Sequence, residues 1–492
     1  MISLFRFRVV VALAAFNLVI SSASMAQQAN TLTIEKHLGA IFDLADRKDD
    51  LWAIEEKTNQ YALTVKSALL LDLFKMKPTG VFFPRRVTFD VKDLGDGAWQ
   101  FETATRFSAS IGEKSKAGSM LGTVNVTMAR LNGQFDLRPG QSSNLALTIK
   151  DLRTNLESKT GSDSYSAERM DMALRESPQP DRLSTIVFDE SLHNAHFTAL
   201  IGSKAHQNVR FGKVDLHSET RGIDYRSLKG KLRFGEKLDM QTSEETVDFP
   251  VNSVISMGGY DLALDIRNII STENDDGVEI TDLHLTSSGV QPDENSINRV
   301  EIRFSGLSPI LRKRSLLAER VFPKSGRFKA NMTGFDYRLA YLQVVPISQL
   351  GVDNRLDYVT YSFFNDDRVF TFTDIESNLQ FMDGELTWSG AFSIGLDDGK
   401  IRTASLTIRT RDLERMIAGV PVPGTAPEQA EANTAKFFLY MLKGLAHRRD
   451  DGSSEWVIMR EIGGVPTING STLQFPDMAK LGKALQTAPA AK

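Results

Sequence analysis

Four of the seven histidines in this 492-residue sequence fall close together, as His193, His196, His206 and His217. Imidazole suits zinc, and a His-x-x-His pair on one helical turn with two more histidines would supply four nitrogen ligands. The residues around His196 and Phe197 read instead as a strand, where positions i and i+3 point to opposite faces. No acid is placed to complete a familiar site. These side chains are expected to be ordinary surface or core histidines, and no metal or cofactor is assigned.

The remaining chemistry-bearing residues give weaker patterns. Asp275-Asp276 and Asp397-Asp398 each precede a glycine, but both lack the D-x-[DN]-x-[DN]-G spacing with a distal Glu that calcium loops use. They read as hairpin turns, and Glu244-Glu245 is equally uninformative. G-x-S-x-G, S-x-x-K, H-E-x-x-H and G-x-x-x-x-G-K are absent, which disfavours the common hydrolase and nucleotide-dependent classes. Arg312-Lys313-Arg314 is the most unusual charge feature, followed by Arg320, Lys324, Arg327 and Lys329 and flanked by Ile310, Leu311, Leu316 and Leu317. A basic amphipathic segment of this kind can rest on anionic headgroups, at about 1 kcal/mol per charge near the surface. A solvated connection between two strands is the other reading.

Composition narrows the setting. The chain has no cysteine, which excludes disulfides, thiol nucleophiles and Cys-ligated metals together. Its formal charge of −4 offers no global attraction to nucleic acid. Arg6 and Arg8 precede an apolar run from Val9 to Ile20, and Ser24 and Ala26 form a small-residue cleavage pair before Gln27. That run is shorter than the ~20 residues a membrane-spanning helix needs, so residues 1–26 are expected to be an export signal cleaved after about Ala26, with an uncleaved anchor as the rival. The expected location is the periplasm, with peripheral membrane contact open.

The elements that would position any site are strands. Tyr260, Leu262, Leu264 and Ile266 alternate with polar residues, as do Val300, Ile302 and Phe304, and Leu386, Trp388, Gly390, Phe392 and Ile394. Such alternation marks antiparallel sheet with one buried face. Turn signals at Gly95-Asp96-Gly97, Asn132-Gly133, Asn274 to Gly277, Asn365 to Asp367 and Asp397 to Gly399 separate the runs. An outer-membrane barrel shares the alternation, but a convincing helix and a polar, Ala-rich tail from Leu485 weigh against it.

A short signature recurs: apolar, any, apolar, polar, then Asp, Asn or Gly, then apolar. It appears as FDVKDL (89–94), LTIKDL (147–152), LDIRNI (264–269), VEITDL (278–283), IRFSGL (302–307) and ANMTGF (330–335), with LTIRTRDL (406–413) as a longer form. The expected meaning is a strand end, a turn-prone residue that redirects the chain, and an apolar residue that re-enters the core. Leu131-x-Gly133-x-Phe135-x-Leu137 precedes LTIKDL just as Trp388-x-Gly390-x-Phe392-x-Ile394 precedes LTIRTRDL, which points to a duplicated strand-rich unit.

Helices are few. Thr33–Lys48, Ser164–Arg175, Thr425–His447 and Met478–Leu485 are candidates, the third carrying a Thr425/Glu428 capping box and an apolar face of Phe438, Met441, Leu442 and Leu445. The expected fold is mainly β (α+β), with large curved antiparallel sheets and a few peripheral helices. After the signal, a unit at 27–180 is followed by a second at 181–420 and a C-terminal segment of helix, hairpin and terminal helix at 421–492, with Pro178-Gln179-Pro180 and Val420 to Gly424 as boundaries.

The repeated signature, with the ending Pro466-Thr467-Ile468-Asn469-Gly470 and Leu473 to Pro476, resembles YdgA-like periplasmic proteins and, more distantly, AsmA-like lipid-handling proteins. The resemblance implies repeated β units and brings no catalytic residues. The resulting expectation is a non-enzymatic envelope protein whose sheet offers an apolar concave face to lipid or another apolar ligand. A scaffold or assembly factor binding another envelope protein is the alternative, and an unrecognised hydrolase a third.

Overall fold

A chain that alternates apolar and polar residues hides its apolar side by pairing strands and packing one face. In a computed structural model, the protein is mainly β. The structure describes residues 52–57, 60–66, 86–95, 98–115, 118–136, 143–158, 161–178, 184–201, 205–223, 258–274, 276–290, 297–311, 320, 322–334, 369–395, 400–420 and 426–472. Twenty-one strands and two helices lie among them. None of these helices is long and apolar enough to cross a membrane. The chain divides into two compact units, Met1–Arg314 with Thr333–Asp367, and Ser315–Met332 with Arg368–Lys492.

The first unit holds β1 (Trp52–Lys57), β2 (Gln60–Val65), β3 (Val87–Gly95), β4 (Ala98–Ser115), β5 (Gly118–Asp136), β6 (Ser143–Ser158) and β7 (Gly161–Pro178). It continues with β8 (Ser184–Ile201), β9 (Ala205–Ile223), β10 (Tyr260–Glu273), β11 (Asp276–Gly289), β12 (Asn298–Ser305) and β13 (Ser308–Ile310). From β1 to β12 each strand pairs antiparallel with the one before it. β13 extends the β12 ladder along β11 without a change of register. The longest strands have 19 residues, roughly 60 Å when extended.

Two local expectations are corrected here. Ser164–Arg175 is not a helix but lies inside β7, where Ala167 and Met170 both face the core. Their spacing of three, produced by a bulge, imitates a helical interval. Asn132-Gly133 is not a turn either, because β5 runs straight through it. A Cβ on Gly133 would stand 2.5 Å from the Phe101 ring and 2.6 Å from the Asn144 carbonyl oxygen, so only glycine lets that ring lie across the strand. The Asn274 turn is as expected, joining β10 to β11 with Asn274 at φ 51°.

The recurring hexamer has the expected meaning in only some of its copies. In IRFSGL and ANMTGF the glycine follows a strand end, Gly306 after Ser305 and Gly334 after Thr333, whereas in others the Asp or Asn lies inside a strand. Asp151, Asn194 and Asn268 have φ of 51°, 49° and 53° within β6, β8 and β10, and Gly306 has 67° between β12 and β13. The registers place these residues in one row across the sheet: Thr127, Asp151, Glu168, Asn194, Gly212, Asn268, Thr281 and Gly306. Beside the row, core residues are three apart instead of two, as in Val126/Ala129, Ile149/Leu152, Ala167/Met170 and Leu192/Ala195. Each strand therefore carries one extra, outward-facing residue at this level. Because neighbours carry it together, pairing resumes beyond the row without slipping. The result is a bulge stacked strand by strand into a crease. Thr127 Oγ1 donates to Asp151 Oδ2 at 2.7 Å, and Asn194 Nδ2 to Glu168 Oε2 at 2.5 Å. The crease ends at β4, where the pairing with β5 shifts register between Thr105 and Phe107.

The second unit holds β14 (Ser325–Thr333), β15 (Val369–Gln380), β16 (Glu385–Gly395), β17 (Ile401–Thr410), α1 (Leu413–Gly419), α2 (Ala426–Leu445), β18 (His447–Arg448), β19 (Ser454–Arg460), β20 (Thr467–Ile468) and β21 (Ser471–Thr472). β15, β16, β17 and β19 form successive antiparallel pairs. The helices pack on them through Leu413, Ile417, Trp456 and Ile468, with Leu439 and Leu445 alongside. A helix leaves its last carbonyls unbonded. Here Trp456 Nε1 donates to the Leu442 oxygen at 2.8 Å and Asn469 Nδ2 to the Leu445 oxygen at 2.7 Å. The expected helix at Thr425–His447 and the Asn469-Gly470 hairpin are both present, but Leu442, expected on the buried face of α2, is 36% exposed. The expected helices at 33–48 and 478–485 lie outside the described residues, as do the acidic pair at 397–398, the capping residue Thr425 and the turns at 96–97 and 365–367.

Candidate functional site

The two faces of the first unit are chemically opposite. On the outward face, Thr148 Oγ1 donates to Asp171 Oδ1 at 2.8 Å while Arg169 pairs with Oδ2 at 2.6 Å. Ser191 Oγ donates to Asp215 Oδ1 at 2.6 Å while Lys213 pairs with Oδ2 at 2.7 Å. His217 Nδ1 meets Asp189 Oδ1 at 2.6 Å and Arg175 meets Oδ2 at 2.6 Å. Each of these carboxylates has both oxygens engaged. Burial pushes the Asp215 carboxyl up, but hydrogen bonds from Lys213 and Ser191 and the charges of Lys213 and Arg267 outweigh it and hold it below its ordinary value. A shallow depression of about 320 Å³ sits among these groups, with Ala146, Ala173 and Ala263 among its lining residues.

The histidines are distributed over this polar face. His196 Nε2 lies 2.8 Å from Asn208 Oδ1 and His193 Nε2 3.2 Å from Ser191 Oγ. The expectation that His193 and His196 face opposite ways is corrected by the crease: the extra residue Asn194 lies between them, while Leu192 and Ala195 take the inward positions. Among the described residues no group of three metal-capable side chains converges. The His206 side chain lies outside the described set, as do Asp275 and the cluster Arg312, Lys313 and Arg314. Of the later cations in that basic run, Arg320 pairs with Asp383 at 2.5 Å and Lys329 with Glu376 at 3.3 Å.

The inward face is mostly apolar, interrupted by the buried Glu190 between Met172 and Leu216, and changes character along its rows. One row beside the crease runs Ala129, Ile149, Met170, Leu192, Val214, Ile266, Leu283 and Phe304. Its first four members are at most 8% exposed and belong to the core cluster. The last four, on β9 to β12, are only half-buried. The next row continues with Leu216, Leu264, Leu285 and Ile302, also half-buried. Across the crease, Phe211, Ile269, Ile280 and Leu307 extend the strip. From these residues to the row of Ser218, Leu262 and Ser287 the strip measures roughly 23 Å along the strands, and about 14 Å across four of them.

One end of the strip is closed by polar groups. Tyr260 and Asn298 are 0% exposed and Thr220 is 2% exposed. The Tyr260 hydroxyl donates to Asn298 Oδ1 at 2.7 Å and lies 3.1 Å from Ser287 Oγ. Sequence reasoning found the strands carrying the strip but not the strip itself, since alternation assigns a face without assigning neighbours. It also passed over two copies of the bulge. Phe370 to Ile375 fits the hexamer and puts Asp374 at φ 50°, with Asn331 Nδ2 donating to its Oδ2 at 2.7 Å. The segment at Asn194 has Glu190 in an apolar slot, which hides it.

The first unit is thus a creased antiparallel meander with a self-neutralising polar face and an apolar face only partly covered. The chain matches no family model, no curated protein and no solved structure.

Proposed function

We propose that this is an exported, non-enzymatic envelope protein that holds a lipid or another apolar ligand on the inward face of its first sheet, over β9 to β12. The carrying observation is the change along a single row: Ile149, Met170 and Leu192 are fully buried, whereas Val214, Ile266, Leu283 and Phe304 keep part of their surface accessible. Contiguous accessible apolar surface gains free energy when covered, at about 25 cal/mol per Å². An extended acyl chain fits the long axis of the strip. The bend at the crease supports a concave shape for this face. The placement of Leu131 to Phe135 on β5 and of Trp388 to Ile394 on β16, each followed by a hexamer strand, supports a duplicated unit.

The test is extraction of the full chain purified from its envelope, followed by mass spectrometry of the released lipid. The expected result is a bound apolar ligand that is depleted in the double variant Leu264→Glu/Leu285→Glu. Absence of lipid, together with no binding of a fluorescent fatty acid, would overturn the reading.

The scaffold alternative is favoured by a separate feature. On α2, Phe437 is 57% and Tyr440 56% exposed, while Leu439 and Leu445 face the core. Copurification of a stoichiometric protein partner without lipid would select that alternative.

A further inference from the structure

The second unit contains a charge arrangement that the apolar-ligand reading does not use. In β19, Glu455 is in register with Arg409 of β17 on one side and His447 of β18 on the other. The Glu455 side chain is 8% exposed, and one of its oxygens, Oε2, receives two guanidinium groups: Arg409 Nε at 2.5 Å and Arg449 Nε at 3.1 Å. Both arginines are about half exposed, at 48% and 46%. Arg411 is 74% exposed and pairs with Asp451 at 3.2 Å. The ion pairs here join three guanidiniums to two carboxylates, with the exposed His447, Arg448 and Asp450 beside them.

The geometry matters more than the charge. Arg409 donates its Nε–H to Glu455 Oε2, Arg449 Nε forms an ion pair with the same oxygen, and among the described residues the Nη atoms of both arginines make no hydrogen bond. A buried carboxylate thus holds two planar forks in place with their outer donors accessible. Such donors match the oxygens of phosphate, which guanidinium binds in a bidentate manner, and fixing them beforehand lowers the entropy lost on binding.

We propose that Arg409 and Arg449, preorganised by Glu455 and flanked by Arg411, form a binding site for a phosphate group. The group can be carried by a soluble phosphate or by a phospholipid headgroup. The site stands on the second unit alone and does not depend on the proposed ligand of the first.

The experiment uses the full chain at low salt in two arms: titration with inorganic phosphate, read by calorimetry, and flotation with phosphatidylcholine vesicles with or without phosphatidic acid. Binding in the first arm assigns a free phosphate, and binding only to phosphatidic acid vesicles assigns a headgroup. In either case Arg449→Gln is expected to weaken binding about tenfold or more. Arg409 still neutralises Glu455 in that variant, so thermal unfolding should be preserved. Arg449→Lys keeps the charge but removes the fork, and is expected to lose most of the same affinity. Arg411→Gln should cost less than either. Failure of the unaltered chain to bind in both arms overturns the proposal, as does unaltered binding by both Arg449 variants or an equal loss from Arg411→Gln.

Discussion

Ile149 and Phe304 occupy the same cross-strand row of the first unit, yet the first is 2% exposed and the second only half-buried. The strands beneath them obey one pattern, share one crease and pair in one direction. Burial on β5 to β8 makes that half of the row a core. Incomplete burial on β9 to β12 leaves the other half as a surface of the same composition. Equal hydrophobicity therefore has two uses in one sheet, and the difference lies in how closely each half is packed rather than in the residues. The crease belongs to both halves. It keeps the apolar residues on the inward side beyond the bulge, by adding one outward residue at the same level to each strand from β5 to β11.

The largest effect that could break this comparison comes from truncation on either side of it. Leu192→Ala should destabilise the first unit by about 2–5 kcal/mol, because a cavity is left among fully packed neighbours. Leu285→Ala, in the half-buried part, should cost about 1 kcal/mol. Hydrogen exchange of β8 and β11 amides gives the ordering, and equal losses would dissolve the distinction between the halves. Next in size is Tyr260→Phe, which removes the hydroxyl that donates to buried Asn298 and should cost about 1–3 kcal/mol. A shift in urea midpoint below experimental error would show that the polar end of the strip does not help to hold it.

The crease gives a smaller, more diagnostic effect. Asn268→Val forces a β-branched residue to φ 53° and should cost about 1–2 kcal/mol, whereas Asn268→Gly should be close to neutral. If both are equally damaging, the side chain and not the backbone conformation is what matters there. Smallest in effect is a titration in the second unit. The Ser453 hydroxyl, the Ser453 backbone N–H and Arg411 hold the Asp451 carboxyl down to about 2, from an ordinary 3.8. Its folded value lies below its unfolded one, so its contribution is complete above the ordinary value and is lost as the pH falls through about 2. Carboxyl NMR should show that low midpoint and move it upward in Ser453→Ala. An ordinary midpoint would remove this contact from the stabilising set.

Much of the fold could be read from local pattern alone. Alternation located the strand that became β10, helical-period apolar spacing the helix α2, and the Asn469-Gly470 pair the closing hairpin, since each depends on neighbours along the chain. Ser164–Arg175 failed for an instructive reason. A stacked bulge puts Ala167 and Met170 three residues apart on one face, and a spacing of three is also a helical interval. The hexamer was visible, but its Asp or Asn was taken as a turn because both residues favour turns and tolerate positive φ within strands equally well.

By itself, the sequence determined the fold class, the side of each strand that is apolar and the positions where a left-handed residue is tolerated, because these follow from side-chain type and period. Tertiary structure alone decided register. It aligned Asp151, Asn194, Asn268 and Gly306 in one row, left one half of the inward face accessible, and brought Arg409 to Glu455 across 46 positions of chain. Period two says which face a side chain occupies but not which strand lies beside it, and that choice is made by long-range pairing.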